Sequence, residues 1–201
     1  MVPVIYTVAV IAVLGVAYAL EGAFSTKQFK DEDHYGYVSK TIFEDTQAVV
    51  STEMKVMRPY VDSEIKIVKS YYDYKAEAAV QENSLIYHEN TYMQNSGVSY
   101  GGKDNFDVVA ILDGTVTNVT EDKLLGNVVE VKHENNMIST YQSLSTVSVK
   151  KDDVIKQGQL LGKSGNANIS KDLNNHLHFE LIYKGANVNP EDYFDKKVSE
   201  L

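Results

Sequence analysis

Two histidines in the last third of the chain have the residue type and the spacing to do chemistry. His176 and His178 lie in the run of residues 175–181, with Glu180 two positions further on. Side chains of a β-strand alternate between its two faces, so both imidazoles and the carboxylate are expected to share one face. Imidazole and carboxylate groups bind divalent metals and transfer protons. A His-x-His pair alone, however, is more often an ordinary pair of strand residues than a metal site.

An antiparallel β domain is expected to position this strand. Beyond residue 100, short runs rich in Val, Ile, Thr and Tyr alternate with turn residues at hairpin spacing. Gly158 and Gly162 predict sharp bends between short strands of a compact barrel or sandwich. The predicted strands cover residues 106–112, 115–119, 128–132 and 137–144, with turns at residues 113–114 and 134–136 and the glycine-containing segment at 154–164.

The residues before this β domain have a less regular pattern. Candidate strands at residues 65–72 and 84–87 are separated by a helix-tolerant stretch at residues 76–83. Residues 97–102 are rich in glycine but lack the spacing of a phosphate-binding loop. We therefore predict an ordinary loop at residues 97–102 and treat residues 58–90 as a lead-in segment to the domain.

The first twenty residues contain no charged side chain. As a helix, residues 1–20 would span roughly 30 Å, the thickness of the hydrocarbon core, and a transmembrane helix is therefore predicted. A cleaved signal peptide is the alternative, because residues 17–19 have the small-x-small form that signal peptidase accepts. Residues 21–57 are predicted to be an acidic stalk or linker, with the long carboxy-terminal part on the translocated side of the membrane.

The composition of the 201-residue chain excludes several classes of protein. Acidic residues outnumber basic residues by 28 to 19, which gives a net charge of -9. Binding to nucleic-acid phosphates needs a surplus of Lys and Arg, so no nucleic-acid partner is expected. The absence of Cys excludes disulfides, thiolate zinc sites, iron–sulfur clusters and a Cys nucleophile.

Residues 91–194 resemble the LytM/M23 zinc metallopeptidase domain. The resemblance is carried by the Leu-Ser step at residues 144–145, the Gly-Gln-Leu-Leu-Gly run at 158–162, the His-Leu-His-Phe-Glu run at 176–180 and the Asn-Pro pair at 189–190. It implies a mainly β fold, an antiparallel domain of the duplicated hybrid motif type. The expected organisation is a transmembrane helix, a short stalk, the lead-in and a LytM/M23 domain at residues 91–201.

The resemblance also implies where an active site would lie. Active members take two zinc ligands from an early His-x-x-x-Asp motif and a third from the second His of His-x-His, and an assisting His from Tyr-x-His-Leu-Ser. In this chain Asn95 and Ser99 stand at the first two ligand positions, and Ser143 replaces the assisting His. His178 remains at a ligand position and His176 at a catalytic position. Since neutral Asn and Ser are poor zinc ligands, we predict a pseudoenzyme without a cofactor.

A rewired zinc site is the alternative for the metal. His88 lies seven residues before Asn95 and could supply a substitute ligand after a local rearrangement. His133 follows a predicted strand beside a turn, where a structural role is the stronger interpretation. Zinc ligands must keep their distances within about 0.2 Å, which makes such a replacement demanding.

The upstream residues resemble a membrane-anchored branch of this family that acts during sporulation in endospore-forming Firmicutes. This resemblance includes residues 61–64, 67–69 and 90–92. It implies a single-pass protein of the forespore membrane whose domain faces the space between forespore and mother cell. The implied partner is a mother-cell membrane protein like stage III sporulation protein AH, bound in a ring-forming, channel-like or zipper-like complex during engulfment.

Two other functions stay open on the sequence. One is a zinc-dependent peptidoglycan endopeptidase with rewired ligands. The other is a module that binds peptidoglycan in the inherited groove or regulates a separate hydrolase. Zinc retention would favour the first of these, and sedimentation with peptidoglycan would favour the second.

Overall fold

A ten-stranded antiparallel sheet dominates residues 54–201, the part of the chain that the computed structural model describes. In chain order the elements are β1 (Lys66–Lys69), α1 (Ala78–Asn83), β2 (Leu85–His88), β3 (Thr91–Gln94), β4 (Val98–Gly101), β5 (Asp107–Val109), β6 (Gly114–Asp122), β7 (Gly126–Lys132), β8 (Met137–Val147), β9 (Val154–Ile155), β10 (Leu160–Ser164), β11 (His176–Tyr183) and β12 (Ala186–Val188). The strands of the main sheet follow the order β1-β4-β11-β8-β7-β6-β9, with β10 paired to β5 and β8, and β12 paired to β11; β2 and β3 form a separate hairpin. Short 3-10 helices cover Asn168–Leu173, Pro190–Asp192 and Val198–Glu200.

The predicted mainly antiparallel β fold is confirmed. Strands β6, β7 and β8 contain the predicted runs 115–119, 128–132 and 137–144, and they pair as consecutive antiparallel neighbours. The lead-in strands appear as β1 and β2, and the helix-tolerant stretch between them contains α1. Within residues 54–201 no helix is both long and apolar enough to cross a membrane. The predicted span at residues 1–20 lies outside the described residues.

Strand β11 divides its side chains between the core and the cleft described below, as its alternation predicts. Leu177, Phe179 and Leu181 are fully buried in the hydrophobic core. The ring of Phe179 lies 5.1 Å from that of Tyr141 on β8 and 6.0 Å from that of Phe194. Burial of these side chains stabilises the centre of the sheet and holds the opposite face of β11 in place.

The prediction of a loop at residues 97–102 is wrong. Val98–Gly101 form β4, which lies between β1 and β11 in the main sheet. Gly97, directly before β4, allows two backbones to approach closely, since a Cβ atom there would lie 2.2 Å from the carbonyl oxygen of Phe179. Glycine thus marks a tightly packed strand at this position, not a turn.

Residues 54–58 are hydrogen-bonded to the carboxyl end of the chain. Val56 is fully buried, its amide donates to the carbonyl of Lys196 at 3.0 Å, and its carbonyl accepts from the amide of Asp195 at 2.8 Å. Arg58 donates to both carboxylate oxygens of Glu191, at 2.9 and 3.0 Å. These contacts join residues 54–58 to the sheet domain.

The β2–β3 hairpin covers one end of the domain. Its inward side chains Ile86 and Met93 face the 3-10 helix Asn168–Leu173 across a cleft. On its outer side the rings of Tyr87 and Tyr92 are in tilted contact, with centroids 4.8 Å apart and an interplanar angle of 43°, and the two residues are 53% and 69% exposed. The hairpin therefore presents an aromatic surface to solvent and an apolar edge to the cleft.

Candidate functional site

A cleft of about 220 Å³ lies where β11 and β8 meet the β2–β3 hairpin. Its floor carries the polar side chains that the sequence singled out, and its rim is apolar. The lining residues are Ile86, Met93, Gln94, Ser96, Leu125, Gln142, Ser143, Ile169, Ser170, His176, His178 and Glu180. The predicted clustering of His176, His178 and Glu180 on one strand face is therefore confirmed.

Both ring nitrogens of His178 are occupied by neighbouring side chains. Nδ1 lies 3.0 Å from Oγ of Ser99, which stands opposite His178 in the β4–β11 register. Nε2 lies 3.3 Å from Oε1 of Glu180. Because an ionised carboxylate can only accept, Nε2 donates its proton to Glu180, and Nδ1 is left facing the Ser99 hydroxyl.

Glu180 is held in its charged form by its neighbours. Burial alone raises the pKa of the carboxyl, but hydrogen bonds donated by His178 and Ser96, with the charge interaction with His178, bring the net pKa below its ordinary value. The Ser96 hydroxyl donates to the same oxygen, Oε1, that faces His178. The cleft thus contains one carboxylate with an imidazole and a hydroxyl aligned on it.

His176 belongs to a second hydrogen-bonded group. Its Nδ1 lies 2.8 Å from the carbonyl oxygen of Asn174, and its Nε2 lies 3.0 Å from Oγ of Ser143. Since a carbonyl can only accept, Nδ1 is the protonated nitrogen and Nε2 accepts from the serine. Burial lowers the pKa of His176, partly offset by the Asn174 hydrogen bond. The ring is therefore neutral at pH 7.

The side chain of Asn95 is directed towards the lead-in segment and not towards the Ser143–His176 pair. Its amide nitrogen donates to the carbonyl of Ser70 in the lead-in at 2.7 Å, and the residue is 1% exposed. Its Oδ1 is buried without a hydrogen-bond partner among the described residues. Asn95, at the first expected ligand position, thus binds the lead-in segment.

The two histidines considered for a rewired site lie in different surroundings. His88 is on β2, with Nε2 at 3.8 Å from a carboxylate oxygen of Glu89. His133 is buried, with Nδ1 at 2.9 Å from the carbonyl of Asp113 and Nε2 at 2.7 Å from Oγ of Ser139. Neither His88 nor His133 lines the cleft. The contacts of His133 make it part of the core's polar network.

The side chains around His178 do not fit zinc. A catalytic zinc ion takes three protein ligands from imidazole, thiolate and carboxylate groups. At Nδ1 of His178 the neighbour is a neutral hydroxyl, and at Nε2 the carboxylate of Glu180 already accepts the ring proton. Within residues 54–201, no three His, Cys, Asp or Glu side chains are grouped so that they could hold a metal ion.

Sequence reasoning missed part of the site. Ser96 and Gln142 line the cleft, and Ile86, Met93 and Leu125 form its apolar rim. The hairpin reaches the cleft only through tertiary packing, so no local pattern indicates it. The one available signal was that Gln142 precedes Ser143 at a position singled out by the family resemblance.

Burial of His133 and His176 is expected to make the domain less stable as the pH falls. Desolvation lowers the pKa of both rings below the ordinary value of 6.5. In the unfolded chain both take up protons below that pH while the native rings resist, so folding stability is lost as pH falls. Each ring that stays neutral contributes a slope of up to about 1.4 kcal/mol per pH unit.

Urea unfolding of a fragment of residues 48–201, one compact unit, at several pH values from 7 to 5 checks this expectation. The lower limit of pH 5 keeps the carboxylates largely out of the measurement. A His133→Gln variant is expected to lose part of the slope. A free energy of unfolding independent of pH in this window would show that burial does not keep these rings neutral.

Comparison with known proteins finds two kinds of sequence match. Residues 93–190 match Peptidase family M23. Stage II sporulation protein Q of Bacillus subtilis (strain 168) is 38% identical over 204 aligned residues, covering 99% of this chain and 72% of that protein. Murein hydrolase activator NlpD of Salmonella dublin is 31% identical over 104 residues, covering 51% of this chain and 27% of NlpD.

The fold matches a chain in the solved structure of the SpoIIQ-SpoIIIAH pore forming complex. The TM-score is 0.71 at 41% sequence identity, and the match covers 74% of this chain and 96% of that chain. The resemblance to the LytM/M23 domain is thereby confirmed. Similarity to stage II sporulation protein Q also extends over the segment before residue 93, outside the M23 match. The chain therefore belongs to the stage II sporulation protein Q family and carries its M23-type domain.

Proposed function

We propose that this chain is a membrane-anchored, non-catalytic scaffold that binds a mother-cell protein like stage III sporulation protein AH during sporulation. The observation that carries this proposal is the similarity to stage II sporulation protein Q over nearly the whole chain. The solved structure of such a relative is a pore forming complex with SpoIIIAH. Membrane anchoring, the forespore location and a role in engulfment extend the proposal to the residues before 54.

The residue types at the expected ligand positions support the non-catalytic part of the proposal. Asn95, Ser99 and Ser143 stand at the two early ligand positions and the assisting position of the M23 resemblance. In the fold, Ser99 and Ser143 instead hydrogen-bond the two histidines at 3.0 Å each. Neutral hydroxyls in these places hydrogen-bond the imidazoles but supply no ligand charge to zinc.

An exposed aromatic surface supports the partner-binding part. The surface is formed by Tyr87 and Tyr92, which are 53% and 69% exposed and have ring centroids 4.8 Å apart. Both precede residue 93, so they lie outside the M23 match but inside the similarity to stage II sporulation protein Q. Exposed Tyr is enriched where proteins bind one another, because its ring is apolar and its hydroxyl hydrogen-bonds.

Binding to the extracytoplasmic domain of the AH-like protein from the same organism tests the proposal. Calorimetry with the purified chain is expected to show a saturable complex. The Tyr87→Ala/Tyr92→Ala variant is expected to weaken it at least about tenfold, since interface tyrosines often contribute more than 1 kcal/mol each. Val154→Ala serves as a matched control, because Val154 is 75% exposed on β9, within the M23 match.

The outcomes separate the two parts of the proposal. If the wild-type chain does not bind the AH-like domain, the scaffold function is wrong. If it binds and the double variant binds equally well, the partner is correct but uses another surface. Forespore localisation of a fluorescent fusion, and its loss when residues 1–20 are deleted, tests the anchoring step.

A second candidate is a module that regulates a separate peptidoglycan hydrolase. The similarity to murein hydrolase activator NlpD favours it, although that match covers only the M23-type half of the chain. Sedimentation with purified peptidoglycan sacculi distinguishes the two functions. A regulatory binder would sediment with sacculi through its cleft, whereas a scaffold would remain in solution without its protein partner.

A further inference from the structure

Ser143 and His176 form a pair that the scaffold function does not use. The serine Oγ lies 3.0 Å from Nε2 of the histidine, and the histidine Nδ1 lies 2.8 Å from the carbonyl oxygen of Asn174. The carbonyl fixes the proton on Nδ1, which leaves the Nε2 lone pair directed at the serine hydroxyl. Nucleophile, base and orienting acceptor are thus aligned in the order that covalent catalysis uses.

The backbone of Ser143 is held in an unfavourable conformation. Its φ is +65°, in the left-handed region where a residue with a Cβ atom costs about 1–2 kcal/mol. The Ser143 amide donates to the carbonyl of Leu125 at 2.8 Å, which helps to hold the residue in this conformation. Strained positions of this kind cluster at functional sites, and the nucleophilic serine of α/β-hydrolases also occupies a strained turn.

Ser143 is only 1% exposed, and its place at the edge of the cleft is what distinguishes it from the other serines that hydrogen-bond a histidine. Three serine–histidine hydrogen bonds are present within residues 54–201, and they involve Ser99, Ser139 and Ser143. Of these serines, only Ser143 lines the cleft. The side chain of Gln142 lines the same cleft and its amide can donate to an oxygen that gains negative charge.

The size and lining of the cleft limit what could react there. Its volume of about 220 Å³ is smaller than the roughly 300–1,000 Å³ of sites for drug-sized ligands. Ile86, Met93 and Leu125 provide an apolar wall. A short acyl group with a small leaving alcohol fits this description, whereas a large polar substrate would have to extend outside the cleft.

We propose that Ser143 is a metal-independent nucleophile that is acylated by small esters, with His176 as the base. Oγ of Ser143 forms a bond to the acyl carbon, and the bond from that carbon to the alcohol oxygen breaks. The serine proton moves to Nε2 of His176 and from there to the departing oxygen. The products are an acyl-serine and the free alcohol, and no redox change or metal is involved. The proposal goes beyond the scaffold function and does not depend on it, since the non-catalytic character proposed there concerns zinc peptidase chemistry.

Incubation of the purified full-length chain with p-nitrophenyl acetate tests the proposal. We expect release of p-nitrophenol and an acetyl group on Ser143, located by peptide mass spectrometry. Ser143→Ala is expected to abolish that adduct, and His176→Asn to slow its formation at least about 100-fold, the usual range for a general base. Ser145→Ala is the matched control, because this exposed serine lies on the same strand without a histidine partner and should leave the reaction unchanged.

Acetylation of surface lysines, which needs no catalytic group, provides an internal reference in every sample. An unmodified Ser143 in a sample with acetylated lysines would overturn the proposal, and so would acetylation of Ser143 at equal rates with and without His176. If circular dichroism shows that a variant is unfolded, the wild-type chain alone tests the proposal. Ser143 must then be acetylated in native buffer and lose that reactivity in urea.

Discussion

Replacing Gly97 with alanine is expected to lower the free energy of unfolding by at least about 4 kcal/mol. A Cβ atom at this position would lie 2.2 Å from the carbonyl oxygen of Phe179 and 2.9 Å from Cγ of Glu180. Contact with a backbone oxygen cannot be relieved by rotating a side chain, so β4 would have to move away from β11. A domain of this kind is stable by only about 5–15 kcal/mol, so the loss would be a large fraction of the total.

A second glycine separates this steric effect from backbone strain. Gly185 has a φ of +82°, and a Cβ atom there would meet nothing within 4 Å. Gly185→Ala is therefore expected to cost only about 1 kcal/mol, from the left-handed conformation alone. Urea unfolding of both variants measures the difference, and equal losses would show that β4 and β11 are not packed as closely as described.

Gly97 shows a structural feature that local sequence patterns do not predict. Alternation of apolar residues predicted β11 because burial of Leu177, Phe179 and Leu181 on one face follows directly from strand geometry. Residues 97–102 predicted a loop because glycine is common in turns. Gly97 instead allows contact with Phe179, 82 positions away in the sequence, and local composition does not distinguish these two uses of glycine.

The candidate site, too, could be predicted only in part from the sequence. The shared face of His176 and His178 could be predicted, and the family resemblance indicated which other positions would be near them. The individual contacts could not, because they join residues far apart in the chain: Ser99 to His178, and Ser96 to Glu180. The orientation of Asn95 could not be predicted either, because its amide nitrogen donates to the carbonyl of Ser70, which lies outside the M23 match.

Introducing two zinc ligands near His178 is expected to give the domain a zinc site. The change is Asn95→His with Ser99→Asp, the residue types of active M23 members at these positions. Ser99 already faces Nδ1 of His178 at 3.0 Å, so a carboxylate there would stand beside that nitrogen. Zinc content by mass spectrometry, after equilibration and desalting, is expected to rise from almost none to about one ion per chain.

The hydrogen bond from Nε2 of His178 to Glu180 is the reason to expect success from only two changes. It leaves Nδ1 as the nitrogen free for a metal, and a carboxylate on the other ring nitrogen is the usual outer support of a zinc-bound histidine. Asn95→His has a cost, since it gives up the hydrogen bond to Ser70. Either single variant should therefore stay nearly free of zinc, because it supplies at most two of the three ligands.

Three outcomes distinguish the possible arrangements of the site. Zinc in the double variant alone would support Asn95, Ser99 and His178 as the positions from which a metal site was lost. Zinc retained by the wild-type chain would overturn the argument from donor chemistry and direct attention to His88 and His133. A folded double variant without zinc would show that the backbone at these positions, and not the ligand types alone, keeps this domain from binding metal, because the hydrogen bond between Asn95 and Ser70 is already lost in that variant.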